Sequence, residues 1–203
     1  MPKPFSQACE NNKQCILERI RTEFPAGSLV LEIGSLTAQH LTFFAQSMTQ
    51  VHWLPSDIPE NLSTVVAGLT DNTLANIGAP IPLDVSQPDW PIAGVDGIFS
   101  ANTLHIMPHA HVELFFQGVQ RTLRPGGKLC VYGPFKYHGA FTTPSNARFD
   151  EWLQARNPRS SVRDFEQVDA WATAAGLHLL ADHAMPANNQ LLVWEMGKRP
   201  LPN

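Results

Sequence analysis

The amino-acid sequence predicts one α/β domain of the three-layer, Rossmann-like type, with helices on both faces of a mostly parallel, seven-stranded sheet. Short apolar runs alternate with amphipathic stretches along most of the chain, which is the pattern of successive strand–helix units. The first run, at 29–33, turns through a glycine into a helical stretch, as the first such unit of a Rossmann-like domain does. Two later runs, at 178–184 and 191–195, are joined by a short turn and predict a closing antiparallel pair.

The remaining elements follow from periodicity and from turn residues. Ile16, Leu17 and Ile20 recur at helical spacing and predict a leading helix over 12–22. Asn61 is expected to cap a helix that reaches about residue 74, and the Arg-Pro-Gly-Gly sequence at 124–127 is expected to form a turn. The other expected helices cover 38–47, 109–123 and 166–175, and the other expected strands cover 51–54, 81–83, 95–100 and 128–132.

Residues 135–165 differ in composition from the rest of the chain. Glycine, proline, serine, asparagine and threonine dominate, and only a short helix around 147–155 is expected. A stretch of this length inside a compact domain is typical of a functional lid or a substrate loop. No linker divides the chain, so residues 1–203 are expected to form a single domain with this insertion.

Composition and charge narrow the class of partner. The chain has 203 residues, 43% of them hydrophobic, with a net charge of −4 and no basic tract. These values favour a small-molecule partner and argue against a nucleic-acid binder. No apolar run approaches the roughly 20 residues that span a bilayer, and the three cysteines lack a Cys-x-x-Cys spacing. We therefore expect a cytoplasmic protein with free thiols and no membrane contact, and a homodimer is an open possibility.

Polar residues follow the predicted strands at the points where the strands end. Glu32 and Gly34 follow the first strand, Asp57 the second, Asp84 the third and Asn102 the fourth. Ligands of open α/β sheets bind outside the carboxyl ends of the strands, where Asp57 would accept hydrogen bonds from a ribose diol and Asp84 from an adenine amino group. Each acid taken alone is equally typical of a helix cap or a solvated turn. Together they predict a site for an adenosine-type ligand.

Several other polar residues are candidates for chemistry on the substrate. His105 follows the fourth strand and is a candidate general base, although a packing role in that turn is the alternative. His109 and His111 lie nearby, but no cysteine or paired acid completes a metal site, so no metal is expected. Arg163 and Asp164 are expected to form a structural ion pair. The residues expected to converge on substrate from the lid and the closing turn are Tyr137, Asn146, Asp150, Arg163, Asn188 and Asn189.

Specific motifs along nearly the whole chain resemble those of the DUF938 family of class I methyltransferase-like proteins. They include Leu31-Glu-Ile-Gly-Ser, Trp53-Leu-Pro-Ser-Asp57, Pro144-Ser-Asn-Ala-Arg-Phe-Asp150 and Met185-Pro-Ala-Asn-Asn189. The resemblance implies a class I methyltransferase fold, S-adenosylmethionine (SAM) as cofactor and methyl transfer to an unidentified acceptor. The residues expected to bind the cofactor are Glu32, Gly34, Ser35, Gln39, His40, Asp57, Asp84, Val85 and Asn102.

The chain departs from the family pattern in the first loop. Leu36 and Ala38 stand where the family usually has glycines. If the position of Leu36 requires a positive φ, a side chain there costs roughly 1–2 kcal/mol in strain. Ala38 is the milder replacement, because alanine is the smallest side chain at a helix start and is allowed in related fingerprints. The alternative to a methyltransferase is therefore a non-catalytic binding or scaffold module that retains the fold. A nicotinamide-dependent oxidoreductase is disfavoured, because it requires the full glycine fingerprint.

Overall fold

The protein is a three-layer α/β structure around one mixed sheet, as seen in a computed structural model that describes residues 3–198. Seven strands form the sheet in the order β3-β2-β1-β4-β5-β10-β9. They are β1 (Leu29–Ile33), β2 (His52–Asp57), β3 (Ile81–Pro82), β4 (Val95–Ala101), β5 (Leu123–Gly133), β9 (Leu177–Met185) and β10 (Asn189–Met196). The pairs from β3 to β5 are parallel, whereas β10 is antiparallel to both β5 and β9.

Six α-helices, two three-residue 3-10 helices (Pro59–Asn61 and Pro186–Asn188) and a small second sheet complete the described part of the chain. The α-helices are α1 (Gln7–Ile20), α2 (Gln39–Ser47), α3 (Leu62–Gly68), α4 (His109–Thr122), α5 (Pro144–Arg156) and α6 (Phe165–Ala174). The small sheet has the order β7-β6-β8 and is built from β6 (Phe135–Tyr137), β7 (Ala140–Phe141) and β8 (Arg163–Asp164). None of the helices within residues 3–198 is long and apolar enough to cross a membrane.

Alternate side chains of the strands separate the core into two apolar layers. Leu129 and Val131 of β5 pack in one layer with residues of α4 and α6. Their neighbours Cys130 and Tyr132 pack in the other layer with residues of α1 and α2. This alternation is the two-residue period of a strand that is buried on both faces. The predicted α/β fold with seven strands and an antiparallel closing strand is therefore confirmed.

Several element boundaries differ from those expected. The leading helix begins at Gln7 rather than at residue 12, and Ser6 caps it by accepting a hydrogen bond from a backbone N–H of the first turn. Helix α3 ends at Gly68 rather than near 74, since the chain turns at Asp71 with φ of 64°, which an α-helix cannot contain. Asn61 makes no capping bond there, so its expected capping role is wrong.

The expected turn at 124–127 is an excursion within one long strand. Leu123 pairs with Val95, and Lys128 pairs with Gly97, so the partner strand β4 has a single residue opposite four residues of β5. Gly126 in this excursion adopts φ of +78°. Because β5 pairs with β4 both before and after residues 124–127, these residues are part of one strand. The Pro-Gly-Gly composition alone indicates only a turn.

The segment 135–165 is more regular than its composition indicates. It contains the three short strands of the second sheet and the 13-residue helix α5, which begins three residues before the expected helix. Thr143 caps α5 by accepting a hydrogen bond from the N–H of Asn146, and a proline occupies the first turn. Both are start signals of a helix, so the Thr-Pro sequence in this segment outweighs its loop-like composition.

Candidate functional site

The loop between β1 and α2 contains three residues in the left-handed region of backbone conformation. Gly34 has φ of 83°, Leu36 of 39° and Ala38 of 55°. A Cβ added to Gly34 would lie 2.5 Å from Cγ2 of Thr103, so both the dihedral angle and the packing require glycine there. The expectation that Leu36 and Ala38 occupy positions suited to glycine is consistent with these angles.

Hydrogen bonds from the end of β2 hold this loop in place. The N–H groups of Gly34 and Ser35 both donate to the carbonyl oxygen of Ser56, at 3.0 and 2.9 Å. In return, the N–H of Ser56 donates to Oγ of Ser35, at 3.2 Å. The loop N–H of Leu36 donates to Oδ2 of Asp57, at 2.8 Å. The backbone strain at the loop is therefore offset by a dense set of bonds to β2.

Glu32 is a buried carboxylate beside this loop. Its side chain is only 3% exposed, and its Oε2 atom has no hydrogen-bond partner. Burial raises the pKa of the Glu32 carboxyl to about 7, with a hydrogen bond from Ser35 opposing the shift and the charge of Asp57 adding to it. A buried oxygen without a donor is costly, which marks Glu32 as a place where a ligand donor would be stabilised.

Asp57 lies at the carboxyl end of β2 with both carboxylate oxygens engaged by protein donors. Oδ1 accepts from the N–H of Ile58 at 2.9 Å and from Nδ2 of Asn61 at 2.8 Å, while Oδ2 accepts from the N–H of Leu36. Because each carboxylate oxygen accepts about two hydrogen bonds, roughly one acceptor position on Oδ2 is left. Two bonds to a ribose diol would require Asn61 to move.

The residues after β3 and β4 line the same edge of the sheet. Asp84 accepts a hydrogen bond at Oδ1 from the N–H of Ser86, at 2.8 Å. Burial acts to raise the pKa of Asp84, but hydrogen bonds from Ser86 and its neighbour outweigh it, so the net shift is downward. Val85 is 7% exposed and packs into the core beneath. Asn102 has φ of 60°, and its N–H donates to the carbonyl oxygen of Tyr132, at 2.8 Å.

Gln39 and His40 are occupied by the first helix and the segment before it. Oε1 of Gln39 accepts a hydrogen bond from the N–H of Ser6. Nε2 of His40 lies 2.6 Å from Oδ1 of Asn12, and its ring stacks on Phe44 with centroids 5.6 Å apart. Burial, assisted by the charge of a nearby lysine, lowers the pKa of His40 to about 4. These contacts attach α1 to α2, and they give both side chains a structural role.

His105 is buried behind helix α5. It is 5% exposed, and Phe149 of α5 packs edge-on against its ring with centroids 5.3 Å apart. Burial and, to a smaller extent, the charge of Arg163 lower the pKa of His105 to about 4. The ring is therefore neutral at pH 7 and is a weak base in this conformation.

Arg163 joins the loop after β4 to the chain after α5. Its guanidinium donates to the carbonyl oxygens of Leu104 at 3.0 Å and Arg159 at 3.2 Å, and also to the carbonyl oxygen of Met107. Burial lowers the pKa of Arg163, and the charge of Asp150 opposes this. No ion pair with Asp164 is formed within the described residues, so that expectation is wrong. The carbonyl oxygens compete successfully because Arg163 is buried among them.

The other lid residues bind one another and the backbone. Oδ1 of Asp150 accepts from the N–H of Val162, at 2.6 Å. Nδ2 of Asn146 donates to the carbonyl oxygen of Asn188 at 2.9 Å, which attaches α5 to the closing turn. Nδ2 of Asn189 donates within that turn, to the carbonyl oxygen of Pro186 at 3.3 Å. In this conformation these side chains hold the segment together.

Tyr137 lies apart from the other lid residues. Its hydroxyl donates to Oδ2 of Asp182 at 2.6 Å, and its ring stacks on Phe165 with centroids 5.2 Å apart. Burial, together with that hydrogen bond and the charge of Asp182, raises the pKa of Tyr137. Within residues 3–198 no three histidine, cysteine or acidic side chains come together as a metal site.

Several residues of this region were not singled out from the sequence as site residues. Ser56 and Thr103 support the loop, and Thr103 also lies 2.6 Å, oxygen to oxygen, from the hydroxyl of Ser100. Phe149 and Trp152 of α5 form a stacked pair with ring centroids 5.8 Å apart. The sequence signal for the pair was the i, i+3 spacing of two aromatic residues beside polar ones, which is common in helices that face solvent on one side.

The fold matches that of class I methyltransferases. SibL, a SAM-dependent methyltransferase in its apo form, superposes with a TM-score of 0.79 at 17% identity, over 94% of this chain and 56% of SibL. An O-methyltransferase family protein from Burkholderia thailandensis gives 0.83 at 11% identity, over 94% of this chain and 57% of that one. Human N-acetylserotonin methyltransferase, solved with SAM, gives 0.79 at 15% identity, over 95% and 53%. This chain thus spans little more than half the length of these proteins.

Residues 3–196 match the family model described as "Protein of unknown function (DUF938)". The chain therefore belongs to the DUF938 family.

Proposed function

We propose that this protein is a SAM-dependent methyltransferase that acts on a small molecule. The observation that carries the proposal is the unpartnered, buried Oε2 atom of Glu32 at the carboxyl edge of a class I methyltransferase sheet. SAM carries a cationic α-ammonium group, and a buried carboxylate without a donor is a strong acceptor for such a group. The net charge of −4 supports a small-molecule acceptor rather than a nucleic acid.

We propose that residues at the same edge of the sheet hold the rest of the cofactor. Asp57 retains an acceptor position on Oδ2 for one ribose hydroxyl, and Asp84 and Val85 lie after the next strand, where we propose that they contact the adenine. Asn102 follows β4, which lies next to β1 in the sheet, and is at the same carboxyl edge. The proposed roles of Gln39 and His40 are indirect, because their side chains bind the first helix and its N-terminal flank.

The chain's own contribution to methyl transfer is alignment and exclusion of water. SAM, when bound, supplies an activated methyl group, so the protein needs mainly to orient an acceptor. His105 is the candidate base that follows β4, but its pKa of about 4 favours an acceptor that ionises easily or transfers its proton to water. Arg163 fixes the loop that carries His105, and Asp150 fixes the chain after α5 that carries Arg163, which is how the lid segment takes part.

Calorimetric titration with SAM and with S-adenosylhomocysteine tests the proposal. We expect micromolar binding of both by the native protein and a loss of at least about tenfold for Glu32→Gln, since hydrogen bonds to charged groups contribute about 1.5–3 kcal/mol. The matched control is Glu195→Gln, because that carboxylate lies on the distant end of β10 and binds Lys128. Absence of binding by the native protein at millimolar ligand contradicts the proposal.

A second candidate function is a non-catalytic binding or scaffold module. The observation that favours it is the positive φ of both Leu36 and Ala38, at 39° and 55°, with Leu36 45% exposed beside the proposed cofactor position. A Leu36→Gly, Ala38→Gly variant separates the two functions. If only the glycine variant binds S-adenosylhomocysteine, the native protein has lost the cofactor and the module is the better description. A cytoplasmic location and a homodimer remain predictions.

A further inference from the structure

The two halves of helix α1 are attached to the protein in different ways. Its buried apolar residues, Ile16, Leu17 and Ile20, all lie in the second half, whereas residues 7–11 are exposed or half-buried. Phe5, just before the helix, is 64% exposed. Because a helix in a folded protein is stabilised chiefly by burial of its apolar face, the first turn of α1 (residues 7–10) is the part that opens at the lowest cost.

Polar contacts connect the start of α1 to the start of α2. The N–H of Ser6 donates to Oε1 of Gln39, and Oδ1 of Asn12 lies 2.6 Å from Nε2 of His40. A cavity of about 200 Å³ lies beside these contacts, so the two helices are not closely packed there. Its lining includes Glu10, Lys13, Thr37, Ala38 and Gln39. The first turn of α1 therefore borders the loop between β1 and α2 without being packed tightly against it.

Cys9 lies on the side of this turn that faces Glu32. Its side chain is half-buried, and burial raises the pKa of the Cys9 thiol, while the hydroxyl of Ser6 opposes that rise. The charge of Glu32 adds to the rise and the hydroxyl of Thr37 opposes it, so the thiol lies near both side chains. Among the described residues, Oε2 of Glu32 has no hydrogen-bond partner. The buried oxygen that lacks a donor is thus next to the weakly anchored turn.

Glu32 is closed to solvent in this conformation, so a ligand reaches it only after a neighbouring group moves. Glu32 is 3% exposed, and the loop beside it is fixed to β2 by the hydrogen bonds of Gly34, Ser35 and Leu36. The first turn of α1 lies beyond the apolar residues that anchor its helix. Of these two neighbours of Glu32, the turn of α1 is therefore the one that moves at the lower cost.

We propose that Cys9 contacts the amino-acid end of SAM, and that the first turn of α1 opens to admit the cofactor and closes over it. The inference rests on the proposed function, because it places the ammonium group of SAM at Glu32. Bound cofactor then covers the Cys9 thiol. Cys15 is in the anchored half of the same helix, where its thiol donates to the carbonyl oxygen of Asn12 at 3.1 Å, so its surroundings stay the same when the cofactor binds.

Alkylation of the native protein by iodoacetamide, with and without S-adenosylhomocysteine, tests the inference. Trypsin cleaves after Lys13, which separates Cys9 from Cys15 for mass spectrometry. At a ligand concentration ten times the dissociation constant, we expect alkylation of Cys9 to slow about tenfold and that of Cys15 to change less than about twofold. In Glu32→Gln, the ligand concentration that halves the rate at Cys9 should rise about tenfold or more, in step with the dissociation constant measured by calorimetry.

Two substitutions test the contact and the opening separately. Cys9→Phe should weaken S-adenosylhomocysteine about tenfold or more, because its ring occupies space that the cofactor needs. The matched control is Gln14→Phe, which adds the same ring at an exposed position of α1, and unfolding midpoints verify that both variants fold. Gln39→Ala removes the acceptor of the Ser6 bond and should speed alkylation of Cys9 in the free protein about twofold to tenfold.

The outcomes distinguish this inference from the proposed function. If S-adenosylhomocysteine binds by calorimetry but does not slow alkylation of Cys9, or slows Cys9 and Cys15 equally, the contact is overturned and the proposed function stands. An unchanged rate at Cys9 in Gln39→Ala overturns the opening of the turn. If S-adenosylhomocysteine does not bind the native protein at all, the proposed function fails and the inference fails with it.

Discussion

Replacing Leu36 by glycine is expected to stabilise the protein, although it removes a large apolar side chain. Leu36 has φ of 39° in the loop between β1 and α2, and its side chain is 45% exposed. Left-handed backbone costs a residue with a Cβ about 1–2 kcal/mol. Glycine removes that cost but adds about 0.5–1 kcal/mol of conformational entropy to the unfolded chain. The expected net gain in the free energy of unfolding is the difference between these two values, about 0–1.5 kcal/mol.

The same arithmetic gives a different result for Ala38. Its φ is 55°, but its methyl group is only 1% exposed, because it lies beside Gly68 of α3. Loss of a buried methyl costs about 0.8 kcal/mol, which cancels most of the relief of strain. Ala38→Gly is therefore expected to change the free energy of unfolding by less than about 0.5 kcal/mol.

Urea denaturation and thermal unfolding measure these differences. Each kcal/mol gained raises the melting temperature by about 2–4 °C in a chain of this size, so the upper end of the expected gain corresponds to about 3–6 °C. Leu36→Ala is the matched control, because it removes the side chain but keeps the Cβ and hence the strain. If Leu36→Gly is no more stable than Leu36→Ala, the attribution of strain to this position is refuted. His138→Gly, at φ of 51° on the β6–β7 turn, tests the same cost far from the loop.

Three further predictions concern the buried carboxyl of Glu32, the buried guanidinium of Arg163 and the packing of Gly34 against Thr103. The pKa of Glu32 rises from its ordinary 4.5 to about 7 on folding. Its contribution to the free energy of unfolding is therefore greatest below pH 4.5 and is lost as the pH rises to 7. Relative to Glu32→Gln, the native protein should therefore lose on the order of 3 kcal/mol between pH 4.5 and pH 8 in urea titrations, and a pH-independent difference would contradict this. Arg163→Met should destabilise the protein by about 3 kcal/mol, since it leaves buried carbonyl oxygens without donors. The control is Arg124→Met, which removes an exposed guanidinium and should cost under about 1 kcal/mol. Gly34→Ala should destabilise the protein by about 2 kcal/mol or more, because its Cβ would meet Cγ2 of Thr103. Adding Thr103→Ser removes Cγ2 and should restore part of this stability. If the two substitutions have additive effects in the double variant, the contact between the Cβ and Cγ2 is not the cause.

The sheet and its closing pair were predictable from the sequence because they depend on local periodicity and on connection length. Two short, mainly apolar runs have few secondary structures open to them other than a buried strand, and both lie in strands of the sheet: Leu29–Ile33 and Leu191–Val193. The regular structure of 135–165 was not predictable from composition. Its order depends on Arg163 binding carbonyl oxygens more than 50 residues away, and such a partnership leaves no local pattern.

The candidate site was predictable in position but not in detail. Glu32, Asp57 and Asn102 lie at the carboxyl edge of the strands because parallel strands bring their ends together. Which of their oxygens are free depends on partners such as Asn61, whose role as a donor to Asp57 looks like a helix cap in the sequence. Gln39 and His40 show the same limit, since their partners lie on α1 or just before it and are 28 or more positions away.

The position of β10 in the sheet has a consequence for how the chain is made. It lies between β5 and β9 but follows both along the chain, so the other six strands leave the ribosome before it does. Until then β5 presents an open edge, and β9 has no neighbour in the sheet. An open edge of apolar strand pairs readily with another nascent copy, so synthesis passes through an interval that is prone to aggregation. A chain stopped after residue 188 would remain in that state, and we expect it to be recovered as insoluble aggregates.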